Sequence, residues 1–311
     1  MAAAAPCDAG WSRALYDSAC AACEAAPGDA PLAPALAKSL GVPYEALSSL
    51  WHQMHSARVR KSAHGHRERA GEYAAAWAGG ESLPSIASRV GFPPFLVARL
   101  VVEGALGLRR ADVGDVVRAP ARIADARLRR DVEACAATDA HCAPRHDAAR
   151  RAVGVEYELL LRGALERVGA PFEHEDDLRG RGFSKTPDVH LVVPLGFLRP
   201  PRPDDARPRL SVVNWVDSKA MFGSPAAYGG DHRAQLLGYV NRLGAGAVVY
   251  WFGFCDELQD LDDDVLLLRD WPPPGALFWP DARPCAPPAV AAPTQRPIDA
   301  YFPRARAATA T

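Results

Sequence analysis

The chain predicts a mixed α/β fold, in which a sheet flanked by helices follows an all-helical N-terminal region and precedes a proline-rich tail. Apolar runs of strand length stand at 189–193, in the stretch that ends N-W-V-D-S-K at 214–219, and at 247–252, with helical apolar spacing before and between them. Roughly the first 110 residues keep helical spacing throughout, and from Pro272 prolines recur every few residues amid Ala and Arg. With 311 residues, 49% of them hydrophobic and 23% charged, the chain is long enough for one sizeable core and a smaller domain. The expected divisions are a helical domain over 1–110, a helical connector over 111–145, an α/β domain over 146–271 and a disordered tail over 272–311.

The N-terminal region contains an internal echo. L-A-K-S-L-G-V-P at 36–43 is answered by I-A-S-R-V-G-F-P at 86–93, and each is followed by another apolar-periodic helix. Helix, glycine-containing turn, helix is the helix-turn-helix pattern, with the glycine relieving the turn. Between the echoes lie Arg58, Arg60 and Lys61, then Arg67 and Arg69, with His52, His55, His64 and His66. This is the most basic stretch of the chain. Arg58, Arg60 and Lys61 are expected to contact DNA phosphates, which supply affinity and register without sequence information.

Composition excludes several classes. A formal net charge of −1 creates no global basic field, so any nucleic-acid surface must be local. No stretch approaches the ~20 consecutive apolar residues that span a bilayer, so no membrane association is expected. Seven scattered cysteines, odd in number, predict reduced thiols and a soluble protein of the nucleus or cytoplasm. Cys20-x-x-Cys23 lacks a second pair at zinc spacing and reads as buried thiols. Cys135, His141, Cys142 and His146 lie close in sequence, but their spacing fits no common zinc module.

The chemistry gathers in the α/β region. Successive side chains of a strand face opposite ways, so Asp217 and Lys219 share one face while Ser218 faces away. Asp188 opens the preceding apolar run behind a proline, and an antiparallel hairpin would set it opposite Asp217. Two carboxylates and a lysine then meet at one strand end. Hard cations such as Mg²⁺ or Mn²⁺ take oxygen ligands, and a metal-bound water beside a lysine is a nucleophile for a phosphodiester. An isolated D-x-K is more often a solvated pair, so the surroundings decide. Upstream, G-V-E-Y-E-L at 154–159 lies in a helical pattern whose stripe is Val153, Tyr157, Leu160, Ala164 and Val168. That phase puts Glu156 on the flank of the buried face and Glu158 further toward solvent. A carboxylate at the edge of a buried face needs a partner, and a metal site supplies one. Downstream, the helix expected over 231–243 carries Gln235 and Tyr239 one turn apart.

Helix, hairpin, helix, strand, bearing Glu, Asp, D-x-K and Q-x-x-x-Y in that order, resembles the PD-(D/E)xK nuclease superfamily, and more closely its TPD-motif family, the codanin-interacting nucleases. The resembling stretches are G-V-E-Y-E-L-L-L (154–161), G-F-S-K-T-P-D (182–188), W-V-D-S-K-A-M-F-G (215–223) and Y-V-N-R-L-G-A-G-A-V-V-Y-W-F-G-F (239–254). The resemblance implies a restriction-endonuclease-like sheet, a Mg²⁺-dependent DNA endonuclease activity in replication, repair or chromatin maintenance, and a codanin-like partner. It also implies that Glu156, Asp188 and Asp217 bind metal, that Lys219 orients or activates the water and that Gln235 assists. Asp217 stands where relatives carry Glu, an exchange the superfamily accepts. The Pro/Arg-rich insert over 199–209 reads as a solvated loop lengthening the hairpin. The competing reading is a non-catalytic adaptor binding DNA, a codanin-like protein and a sliding clamp. Intact acids argue against it, because a fold relieved of catalysis has no reason to gather like charges.

The clamp enters through the tail. Q-R-P-I-D-A-Y-F at 295–302 resembles the PIP box at all four defining positions, Gln295, Ile298, Tyr301 and Phe302. On one helical turn the three apolar side chains would fill a pocket of PCNA while Gln295 hydrogen-bonds beside it.

Overall fold

The computed structural model describes residues 10–26, 32–199, 209–259, 261–281 and 283–285. The chain begins with α1 (Arg13–Ala25), α2 (Pro34–Leu40), α3 (Tyr44–Glu68), α4 (Ala70–Ala78), α5 (Leu83–Val90), α6 (Pro94–Ala105), α7 (Arg110–Arg118) and α8 (Ala126–Thr138). Local chemistry sets these ends. The Ser12, Ser82 and Asp125 side chains accept from backbone N–H groups in the first turns of α1, α5 and α8. Gly41 and Gly91 close α2 and α5 in the left-handed conformation, at φ 67° and 62°, so the two echoed segments end in the same way. The helices of the second echo, α5 and α6, are bent by 119° relative to each other.

These helices do not share one core. Tyr73, Ile86, Phe95, Val101, Val113, Leu128 and Val132 form a core that runs from α4 to α8, so 111–145 packs into the helical body. Helices α1–α3 bury Trp11, Leu47, Leu50 and Trp51 in a separate cluster together with Phe222 and Cys255 of the α/β region. The N-terminal helices thereby pack against the segments that follow β3 and β4. Among the described residues no single helix is long and apolar enough to cross a membrane.

The α/β region consists of α9 (Pro144–Arg167), β1 (Phe172–His174), α10 (Glu175–Gly180), β2 (Val189–Arg199), β3 (Arg209–Lys219), α11 (Pro225–Ala227), α12 (Arg233–Leu243), β4 (Gly246–Tyr250), β5 (Val265–Leu268) and β6 (Leu277–Phe278). The sheet order is β1-β2-β3-β4-β5, with β6 also on β2. Strands β1, β2 and β3 are antiparallel, while β3, β4 and β5 are parallel, and α12 crosses over between β3 and β4. The expected hairpin is present, with Val189 opposite Val216. One face packs Val189, Leu191, Val216, Ala247 and Val249 beneath Leu161 and Leu165 of α9, and the other packs Trp215, Val248 and Tyr250 beneath Leu236 and Tyr239 of α12. Gly246 is required by the second packing, because a Cβ there would lie 2.0 Å from the Trp215 ring.

The stretch 272–285 departs from expectation. Instead of joining a tail without regular structure, it supplies β6, whose Leu277 and Phe278 pair with Phe197 and Gly196, and it buries Leu277 and Cys285 in the core beneath α9. Two apolar side chains and a free edge on β2 outweigh the prolines around them. The PIP-box-like residues Gln295, Ile298, Tyr301 and Phe302 lie outside the described residues.

Candidate metal centre

The carboxylates sit where β2 begins and β3 ends. Pro187 and Thr186 are buried, and the Thr186 hydroxyl donates to Glu175 Oε1 at 3.0 Å, which fixes the turn that delivers Asp188. Extending the β2–β3 register by one residue sets Asp188 opposite Asp217, and Asp188 Oδ2 accepts the Ser218 backbone N–H at 2.7 Å. Lys219 Nζ lies 2.5 Å from Asp217 Oδ2, with side-chain exposures of only 14% and 4%. A solvated strand-end pair would be far more open, so this is an interior ion pair. Lys219 also donates to Gln235 Oε1 at 3.2 Å, and Gln235 Nε2 donates to the Tyr239 hydroxyl at 2.6 Å. The expected Asp188, Asp217, Lys219 and Gln235 therefore come together.

Glu156 does not join them. The buried stripe of α9 is Leu161, Ala164, Leu165 and Val168, while Leu160 is half exposed, so the buried face keeps Ala164 and Val168 of the expected stripe but is turned toward Leu161 and Leu165. Glu158 precedes Leu161 and Leu165 by three and seven positions and faces inward, whereas Glu156 is exposed. Burial raises the Glu158 carboxyl above its ordinary range, and the charges of Glu175 and Asp217 add to the shift against Arg162. The third carboxylate facing the pair is thus Glu158. Glu175 stands behind it, ion-paired to Arg179 at 2.6 Å. The spacing of Glu158 to Leu161 and Leu165 was the available signal.

Electrostatics mark the pair as strained. Burial pushes the Asp188 carboxyl up to about 8, the Asp217 charge adds to it, and the Ser218 N–H opposes it. His232, which shares a hydrogen bond with the Tyr250 hydroxyl at 2.9 Å, is held down to about 4 by burial and then by Lys219. Burial raises the Tyr239 hydroxyl, and Asp217 adds to the shift. A raised carboxyl means that the metal-free folded protein binds a proton the unfolded chain has lost. This contribution is complete below the ordinary value of 3.8 and is lost as pH rises through about 8. Asp188→Asn keeps an acceptor for Ser218 and removes the charge. In EDTA it should therefore stabilise the protein more at pH 9 than at pH 5, by at least about 1.4 kcal/mol, the equivalent of one pKa unit. Urea denaturation at the two pH values checks this, and an equal effect at both would mean that Asp188 carries no such strain.

The donor set suits a hard cation. Asp217 Oδ2 is buried and accepts no hydrogen bond, with only the ammonium of Lys219 against it. Among the described residues, no group of three or more His, Cys, Asp or Glu side chains is arranged to hold a metal ion by itself. Mg²⁺ commonly takes one or two carboxylates and completes its shell with water and substrate phosphate, which is what Asp188 and Asp217, with Glu158 in electrostatic reach, offer.

The other candidates lie elsewhere. Arg58, Arg60 and Lys61 are exposed on α3. The Cys135, His141, Cys142, His146 group is divided. Cys135 is buried in the helical core, where burial pushes its thiol up to about 12. His141 instead packs on Trp51 at 4.3 Å between ring centroids, next to His52 and His55. Burial likewise pushes Cys23 up to about 11.

Residues 124–271 match a family model described as a protein of unknown function with the TPD sequence motif. The chain is also homologous to proteins named CDAN1-interacting nuclease 1. It is 34% identical to that of Danio rerio over 194 residues, which cover 60% of this chain and 61% of the relative. Identity to the Xenopus tropicalis protein is 35% over 194 residues, 60% of each chain. Identity to the Homo sapiens protein is 32% over 193 residues, 60% of this chain and 65% of the relative. The chain thus spans less than two thirds of the length of these relatives. No solved structure matches it.

Proposed function

We propose, from the match of residues 124–271 to the TPD sequence-motif model and the geometry of the carboxylates, that this chain is a metal-dependent DNA endonuclease of the PD-(D/E)xK type. The observation that carries the reading is the pairing of half-buried Asp188 with buried Asp217, whose Oδ2 accepts no hydrogen bond, beside the ion-paired Lys219. Asp188 and Asp217 would hold Mg²⁺ or Mn²⁺, with the charge of Glu158 adding to the attraction for the cation. Once bound, the ion would supply Lewis-acid polarisation of the phosphodiester and lower the pKa of a water.

The chain's own residues do the rest. The Ser218 N–H fixes one oxygen of Asp188 and so aims the carboxylate at Asp217. Lys219 carries three donors. One is given to Gln235, one faces Asp217, and the third is left for the attacking water or a phosphate oxygen. Tyr239 holds Gln235 in turn, so the ammonium is positioned from behind. Exposed Arg58, Arg60 and Lys61 contact backbone phosphates of a DNA substrate recognised by its structure. As the name of the relatives says of them, a codanin-like protein is a partner. The tail at 295–302 tethers the protein to PCNA in the nucleus.

The test is cleavage of duplex, flap, splayed-arm and four-way-junction DNA with Mg²⁺ or Mn²⁺, run beside EDTA and Lys219→Ala. Cleavage should need the metal, and Lys219→Ala should lower kcat by roughly 10²–10³, the usual effect of removing one transition-state donor. DNA binding without cleavage on every substrate would favour the adaptor.

A further inference from the structure

The loop that follows Lys219 is gripped by a helix far away in sequence. The Phe222 N–H donates to Ser49 Oγ at 2.9 Å, and Gln53 Nε2 donates to the Phe222 carbonyl at 2.8 Å. The Ser224 hydroxyl donates to Gln53 Oε1 at 2.5 Å. Ser49 and Gln53 lie one turn apart on the same face of α3, and Gln53 also donates to Ser49 Oγ at 3.3 Å. Phe222 and Ser224 are fully buried, and the Phe222 ring packs on Trp11 at 4.4 Å.

This contact reaches both members of the Lys219–Gln235 pair. Phe222 is three residues beyond Lys219, and the intervening turn is tight, with Met221 N–H donating to the Lys219 carbonyl at 2.7 Å. The Ser224 hydroxyl that donates to Gln53 also accepts the Ala227 N–H at 3.1 Å and caps α11. From there the chain passes through the π-helical turn at Tyr228–His232 into α12, which carries Gln235. Two side chains of α3 thus hold the backbone just after the lysine and the start of the segment that brings its glutamine.

We propose that Ser49 and Gln53 are positioning residues for Lys219, so that α3 is part of the active centre and not only a platform for DNA contacts. The role of Lys219 rests on the endonuclease reading. The residues themselves touch neither substrate nor reacting atoms. Removing the Gln53 amide leaves the Phe222 carbonyl and the Ser224 hydroxyl buried without their partner, which loosens the loop on the side facing α3. The same loop is still held on its other side by Gly223 N–H to Gly253 O at 2.9 Å and by Cys255 N–H to Gly223 O at 3.1 Å, so the fold itself survives. Arg58, Arg60 and Lys61 continue along the same 25-residue helix, one to two turns beyond Gln53. Phosphates bound there would be registered to the lysine through one rigid rod.

The experiment uses the full chain with Gln53→Ala, Ser49→Ala and Ser49→Thr. At saturating DNA, kcat should fall at least tenfold in both alanine variants, while KM and the metal-free DNA Kd stay within twofold. Ser49→Thr, which keeps the hydroxyl, should recover kcat to within threefold of wild type. In parallel, the rate of amine-reactive labelling of Lys219 is measured against Lys38, Lys61 and Lys185 as internal standards, together with amide exchange of residues 220–224. Both should accelerate at least threefold in the alanine variants without a change in exchange of the α4–α8 core. Unchanged labelling and loop exchange would overturn the proposal, as would a kcat loss accompanied by faster exchange throughout the protein. Should the wild type cleave no DNA, the endonuclease reading fails, and the labelling and exchange rates still decide whether α3 holds the lysine.

Discussion

Asp217→Asn should abolish the proposed metal-dependent cleavage and leave DNA binding intact or stronger. The expected fall in kcat is at least about a thousandfold, or about 4 kcal/mol of transition-state stabilisation. Two features of the site make the effect large. Asp217 is one of the two carboxylates proposed to hold the cation, and its Oδ2 has no hydrogen bond that an amide oxygen would need to replace. It is also the counter-charge of Lys219 in an interior ion pair, so its neutralisation takes from a buried ammonium the carboxylate in contact with it. Binding moves the other way, because a carboxylate without its metal repels phosphate. Single-turnover cleavage and fluorescence anisotropy on one labelled substrate read the two effects separately. Cleavage within tenfold of wild type would remove Asp217 from the centre.

The legible parts of this molecule are those with a rigid local period. Alternation along a strand fixes Asp217 and Lys219 on one face whatever the rest of the chain does, and Pro187 marks where the preceding strand starts, so the hairpin and the meeting of Asp188 with Asp217 follow from sequence. The helix was harder. E-L-L-L at 158–161 supports two apolar stripes that share Ala164 and Val168, and choosing Leu160 in place of Leu161 and Leu165 rotates the inferred buried face by about 50°. β6 was hidden for another reason, since its two residues are a strand only because β2 offers an edge. Nor does anything local announce Ser49 and Gln53, whose partners lie 169 to 173 residues away.

The choice between the two glutamates of α9 is the sharpest test of the geometry. Glu158→Gln should lower cleavage at least a hundredfold, while Glu156→Gln should stay within twofold. Glu158 lies on the inward stripe with Leu161 and Leu165, and its carboxyl feels Asp217 and contributes to the raised carboxyl of Asp188. Its amide would remove one negative charge from the cluster proposed to attract a divalent cation, so the loss should shrink as Mg²⁺ is raised or Mn²⁺ replaces it. Glu156 is exposed on the far side of the same turn, two residues away and about 160° round the helix from a face that reaches the site. Gln preserves size and helix propensity at both positions, so the comparison isolates charge and direction. Metal titrations of the two variants on the same substrate give the answer. A large loss at Glu156 with none at Glu158 would mean that α9 presents its other face to the strand ends and that the register of this helix against the sheet is wrong.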